Sequence, residues 1–139
     1  NKTGRAFLLE WPTQLIPAGF REFLFEAQIA GLKCVLTHPE RHPEVQGNPK
    51  IIGELIKEGL HVQIGAHGLT GLFGNETQHT AEKLLSMGWV HVIASDAHDS
   101  KIRKPILSEA LARAEKIIGS TAIDLVTTNP AELLGLNND

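Results

Sequence analysis

The chain has 139 residues, the size of about one ordinary domain, with 13 basic and 16 acidic residues and a net charge of -3. That balance argues against nucleic acid as a partner, because binding a phosphate backbone needs a basic excess. The 42% hydrophobic and 21% charged composition excludes a disordered or fibrous chain. No apolar run approaches the roughly 18 residues that span a bilayer. No apolar stretch like that of a signal peptide follows Asn1, so the expected location is the cytoplasm. The chain opens on Asn1 and not on Met, which reads as a piece of something longer.

The first predicted strand is Arg5 to Glu10, centred on Phe7, Leu8 and Leu9 and stopped by Trp11-Pro12. A helix follows from about Pro17 to Ala30, with Pro in its first turn, Gly31 at its end, and Phe20, Phe23, Leu24, Ala27 and Ala30 at helical spacing. Lys33 to Thr37 is short and almost continuously apolar, the pattern of a strand buried on both faces of a parallel sheet. After a polar loop, Asn48-Pro49 reads as an N-cap with Pro at the first helical position. Ile52, Leu55 and Ile56 then form a buried stripe, and Gly59 is the stop. Leu60 to Ile64 is the third strand. Its helix opens on Asn75-Glu76-Thr77-Gln78, spaced like a capping box, and runs through Ala81, Leu84 and Leu85 to Gly88. Val90 to Ala94 is the fourth strand, followed by a helix from about Pro105 to Ile118. A helical pair, Thr121 to Val126 and Pro130 to Leu134, closes the chain.

Strands alternating with helices across short joints predict an α/β fold with a parallel sheet, either a doubly wound layer or part of a barrel. Four βα units are too few for a closed barrel of about 250 residues. Neither the Gly-rich dinucleotide fingerprint nor the P-loop occurs.

Ligands of such folds sit beyond the carboxyl ends of the strands. There the sequence places Glu10 after the first strand, His38 to His42 after the second, and Ser95-Asp96-Ala97-His98 after the fourth. Three of four strands thus deliver a metal-capable side chain to one edge. The single cysteine, Cys34, cannot build a thiolate site by itself, so any metal must rest on His, Asp and Glu. Mixed imidazole and carboxylate donors suit manganese, iron or zinc better than calcium. Arg41 and Arg103 lie near His38 and His98 in sequence, and a guanidinium beside a metal site suits a phosphate group. Metal-assisted phosphoester hydrolysis is the chemistry these residue types favour.

His38-Pro39-Glu40-Arg41, Ala94-Ser95-Asp96-Ala97-His98 with Arg103, and Gly71-Leu72-Phe73-Gly74 resemble the bacterial PHP-domain phosphatases. Within them, the likeness is to the manganese-dependent protein tyrosine phosphatases of capsular and exopolysaccharide biosynthesis. The resemblance implies a distorted (β/α)7 barrel of the TIM type, of which residues 1 to 139 form the carboxyl-terminal part of a single PHP domain. It implies Glu10, His38, Asp96 and His98 as metal ligands, and Arg41 and Arg103 as holders of the substrate phosphate. It further implies manganese as cofactor and a phosphotyrosine protein as substrate, such as a tyrosine autokinase of polysaccharide export. The family's amino-terminal His-x-His motif has no counterpart here, so roughly half of the ligand set is absent.

Other readings stay open. PHP domains also hydrolyse small phosphoesters such as histidinol phosphate. Alternatively, a half barrel with open edge strands could act as an inactive module that associates with itself. Alone, the segment is expected to have little phosphatase activity.

The remaining histidines have structural readings: His61 and His91 as packing residues near strand starts, His79 on a polar helix face, and His67 as a loop surface residue in preference to an extra group supporting the site. His42 reads equally as a flank of the substrate entrance or as an exposed loop residue. Glu40 and Glu44 read as residues that position loops or bind nothing, and are left outside the site. Cys34, inside an apolar strand and seven residues before Arg41, does not match the Cys-x5-Arg loop of thiol phosphatases and reads as buried.

Overall fold

The computed structural model describes residues 5–96 and 106–136. The apolar run Lys33–Thr37 becomes a strand (β2) whose Cys34, Val35 and Leu36 are all buried, because other strands flank it on both sides. β1 (Ala6–Leu9) lies on one side, β3 (His61–Gly65) on the other and β4 (Val92–Ala94) beyond it. Every neighbouring pair is parallel, in the order β1-β2-β3-β4. The α/β expectation is met. A doubly wound sheet reverses its strand order at a switch point, and this order has no reversal. Right-handed crossovers between strands laid down in sequence then carry the connecting helices to the same side of the sheet.

The helices show where local signals gave way. α1 (Phe20–Ile29) starts later than Pro17, whose carbonyl instead accepts from the Phe20 N–H at 3.0 Å in a preceding turn. Its Phe20, Leu24 and Ala27 face the core, and Phe23 meets Phe7 edge to face, with ring centroids 5.9 Å apart. The expected polar loop after β2 is instead a 3-10 turn (Pro39–Arg41) and a short helix, α2 (Pro43–Gly47). Each opens on a proline, whose missing N–H is no loss in a first turn.

α3 (Lys50–Lys57) has Pro49 and not Asn48 as its cap, and no side chain bonds there. A further short helix, α4 (Ala66–Thr70), directly follows β3. α5 (Asn75–Ser86) does not use the capping box: Gly74, at φ 93°, precedes it, and no side chain caps the helix. α6 (Leu107–Ile118) buries Ala110 and Ala114, and a 3-10 segment (Gly119–Leu125) leads to α7 (Thr128–Leu134).

Leu36, Ile52, Leu55, Val62, Ile64 and Leu84 belong to one buried cluster between the sheet and its helices. On the opposite face, Ala6, Leu8, Val35 and Val92 share a cavity of about 220 Å³ with Pro130, Leu133 and Leu134 of α7. Asn129 ties that helix down by donating from Nδ2 to the His91 carbonyl at 3.0 Å. Among the described residues no helix is long and apolar enough to cross a membrane.

His61 and His91 are packing residues, as expected, with ring centroids 5.1 Å apart at the amino ends of the strands. His91 Nδ1 accepts from the Val62 N–H at 3.1 Å. His79 is exposed on α5. Burial, and then the neighbouring His61, push the His91 pKa down from 6.5 to about 4. Burial followed by Lys33 lowers that of His61 against a smaller opposing pull from the Cys34 backbone.

Neutral in the fold but protonated when unfolded, His91 makes stability complete above pH 6.5 and erodes it as the pH falls toward about 4. Urea midpoints should therefore drop over that interval. The His91→Gln variant should show a shallower decline than wild type, by at most about 3 kcal/mol; parallel declines would contradict the assignment.

Candidate metal centre

The register decides which residues meet at the carboxyl edge. Leu9 pairs with Leu36, Thr37 with Gln63 and Gly65 with Ala94, so β2 runs one residue past β1, and β3 and β4 run two residues past β2. Glu10, His38, Ala66 and Ser95 then follow their strands along one staggered edge. His38 follows β2 directly, and its N–H continues the ladder to the Gln63 carbonyl at 2.9 Å. Its backbone then turns left-handed, φ 55°, to enter the Pro39–Arg41 turn. Asp96, two residues beyond β4, is also left-handed at φ 47°. Among the described residues these two alone are non-glycines with positive φ. Each such residue carries a cost of roughly 1–2 kcal/mol, and strain of this kind gathers at functional sites.

The two turns bring the side chains together. His38 Nε2 lies 3.4 Å from Asp96 Oδ2, and on the other side of the ring His38 Nδ1 lies 3.7 Å from Glu40 Oε1. Burial by itself would lower the His38 pKa. Glu40 and then Asp96 favour the imidazolium more strongly than Arg41 opposes it, so the net shift is upward.

Glu10 is exposed but shares with His38, Arg41, Trp11 and Thr37 a cavity of about 90 Å³. Arg41 is exposed beside it, its Cζ 4.5 Å from the centroid of the Phe73 ring. Such a contact contributes about 0.5–1 kcal/mol at an exposed site and limits where the guanidinium can swing. Phe73 sits between Gly71 and Gly74, at φ 95° and 93°, so the loop turns where only glycine is unstrained.

His98 and Arg103 lie outside the described residues. Among the described residues no group of three or more His, Cys, Asp or Glu side chains could hold a metal ion. The pair His38 and Asp96 brings together two donors of mixed type, of the kind a divalent cation could use, and Glu10 shares a cavity with His38.

Two residues that the sequence reading set aside belong to the structure of this edge. Glu40 is fully buried, and its Oε1 accepts from the Gly65 N–H at 2.9 Å. His67, expected at the surface, is only 2% exposed, because α4 carries it inward, where Nδ1 meets the Ser95 carbonyl at 3.1 Å. Neither position carries a periodic signal. The small residues Gly65, Ala66 and Gly68 around His67 are the one sequence hint of close packing.

His42 is buried too. Its Nε2 is 3.0 Å from the Pro12 carbonyl, and its ring stands edge-on to Trp11 with centroids 5.5 Å apart. It therefore anchors the loop after β1, as does Glu44, whose Oε1 accepts from the Ile16 N–H at 2.7 Å.

Fold and edge together define a parallel α/β protein with a His38–Asp96 pair at the carboxyl ends of its strands. The profile described as "Capsular polysaccharide synthesis, CpsB/CapC" matches residues 2–135, and the chain belongs to that family. It is 35% identical over 127 residues to the tyrosine-protein phosphatase YwqE of Bacillus subtilis, covering 91% of this chain and 50% of that protein. It is 30% identical over 110 residues to the tyrosine-protein phosphatase CpsB of Streptococcus pneumoniae, covering 75% and 45%. The chain thus spans about half the length of the curated relatives it matches.

Among solved structures, it superposes with a TM-score of 0.89 and 32% identity, over 95% of this chain and 53% of the other. That structure comes from work on YwqE and S. pneumoniae CpsB, described as unique metal-dependent tyrosine phosphatases.

Cys34 takes no part in this edge. It is 1% exposed, and burial raises its thiol pKa to about 11, the opposite of an activated nucleophile. A thiol reagent at pH 8 should leave the native chain unlabelled and modify one equivalent in denaturant; rapid labelling of the native chain would contradict its burial.

Proposed function

We propose that the chain is the carboxyl-terminal part of a single PHP-type distorted (β/α)7 barrel, residues 1 to 139, that hydrolyses phosphotyrosine in proteins of capsular or exopolysaccharide synthesis. The observation that carries this is the pair of left-handed residues, His38 and Asp96, facing each other at 3.4 Å on the carboxyl edge beside Arg41. The family and the phosphatase relatives support it. The proposed ligands are Glu10, His38, Asp96 and His98, the proposed phosphate holders Arg41 and Arg103, the proposed metal manganese and the proposed location the cytoplasm. A tyrosine autokinase of polysaccharide export is the proposed partner.

When bound, a divalent cation supplies Lewis-acid charge for phosphoester hydrolysis. The chain's own groups do the rest. His38 offers a ring nitrogen and Asp96 a carboxylate oxygen at one point. Arg41 is placed to donate two parallel N–H bonds to a phosphate, and remains charged at any working pH. Phe73 steadies that guanidinium from below, so less freedom is lost when the phosphate arrives. Cys34 is excluded as a nucleophile by its burial, so no thiophosphate intermediate on this chain enters the reaction.

Phosphate release should be measured with the longer protein that carries this segment, in manganese, on a phosphotyrosine peptide and on histidinol phosphate, side by side. Preference for the peptide is expected, with His38→Ala and Arg41→Ala each lowering kcat/KM by about 100-fold or more. Preference for histidinol phosphate would replace the protein substrate by a small one, and undiminished turnover in His38→Ala would remove the metal-centre assignment altogether.

A further inference from the structure

Glutamate is almost never fully buried unless it is paired, yet Glu40 has no exposed surface. Its Oε1 accepts from the Gly65 N–H at 2.9 Å and lies 3.7 Å from His38 Nδ1, while Oε2 is buried without a hydrogen-bond partner. Its backbone carbonyl is fixed as well, accepting from Gln46 Nε2 at 2.9 Å. The fold also keeps room for this carboxyl group. A Cβ at Gly68 would come within 2.8 Å of Glu40 Oε1, and one at Gly65 within 3.0 Å of His38 Nδ1 and 3.4 Å of Oε1. Two glycines on β3 and α4 therefore form a slot into which the acid of the Pro39–Arg41 turn fits.

An acid that served only to pack this slot would be expected to satisfy both of its oxygens, since buried polar atoms almost always find partners. Glu40 instead commits a single oxygen, and that oxygen stands between a fixed backbone donor and the histidine ring. His38 consequently has a carboxyl group on each side, with unequal surroundings. Glu40 is wholly enclosed, whereas the Asp96 side chain keeps 18% of its surface exposed, so the Asp96 side of the ring is the more open of the two.

We propose that Glu40 is a positioning residue, which holds the His38 ring with Nδ1–H turned inward and presents Nε2 to a divalent cation shared with Asp96. Neutral imidazole donates from one nitrogen and accepts at the other, and the partner of the donor nitrogen decides which is offered. Outer carboxylates of this kind orient metal-binding histidines, and their loss costs about 10- to 100-fold in metal affinity. The role of Glu40 rests on the assignment of His38 as a ligand.

The test is calorimetric titration of the full chain with manganese alone, for wild type, Glu40→Gln and His38→Ala, beside ¹⁵N spectra of the His38 ring in zinc-loaded wild type. Glu40→Gln keeps an oxygen for the Gly65 N–H but removes the negative charge that strengthens its hold on Nδ1–H. It is expected to lose about 10- to 100-fold in affinity with its metal-free melting temperature little changed. The wild-type spectrum is expected to show Nε2 bound and Nδ1 protonated. Wild-type affinity in Glu40→Gln, or binding through Nδ1, overturns the positioning role while leaving His38 a ligand. Wild-type affinity in His38→Ala instead overturns the ligand assignment on which it rests.

Should Glu40→Gln fail to fold, Gly68→Ala, which crowds Oε1, is expected to weaken manganese binding in the same direction. Unchanged affinity there counts against the role.

Discussion

The site depends first on a hydrogen-bonding constraint within the sheet. Parallel strands need a crossover of a dozen or more residues between them, and here each crossover returns the chain to the next position in a fixed, staggered register. Leu9 against Leu36, Thr37 against Gln63 and Gly65 against Ala94 are the pairings that matter. A slip of one residue in β2 would turn Cys34 and Leu36 to the face of Val35 and carry His38 away from Asp96, because side chains alternate with a period of two. The apolar alternation that fills the core is thus the same pattern that sets the spacing of the candidate ligands.

What the register brings near, two strained turns bring into contact. Left-handed backbone at His38 and Asp96 opposes folding at both positions, so something must over-determine it. Around His38 the following Pro39 starts a turn closed by the Arg41 and His42 N–H groups, and the slot of Gly65 and Gly68 receives Glu40. Around Asp96 the preceding carbonyl, Ser95, is met by the buried His67 ring. Both supports come from β3 and α4, which contribute no candidate ligand of their own. Their part is to make the flanking turns rigid, and rigid support keeps a constellation of donors near its working geometry.

The elements with the longest periodic signal were the ones legible in the chain. β2 and α5 span nearly the residues their patterns indicate, and the edge residues follow once the strands are placed. The Pro39–Arg41 turn, α2 and α4 are too short to complete a hydrophobic period, so nothing local separates them from loop. The capping box at Asn75 failed for a different reason: the chain arrives through Gly74 at a φ that a side chain resists, and Asn75 is already inside the helix. Glu40 and Glu44 look alike in sequence. What parts them is distant, Gly65 and Gly68 for one and the Ile16 N–H for the other.

The histidines at the two ends of the sheet respond to opposite fields, and the difference is in keeping with the proposed place of a cation. At the amino end, His61 and His91 are buried beside each other and near Lys33, and both are driven toward the neutral form. At the carboxyl end His38 is also buried, yet Glu40 and Asp96 overcome that burial and favour the charged ring. A proton is itself a small cation, so the sign of its preference reports the local potential. A region negative enough to raise the pKa of a partly buried imidazole despite Arg41 would attract a divalent ion more strongly still, since the electrostatic attraction scales with charge. Under the proposed assignment of His38 as a ligand, an ion would compete with a proton for the ring nitrogen, and the carboxyl groups that favour the one would favour the other in its place.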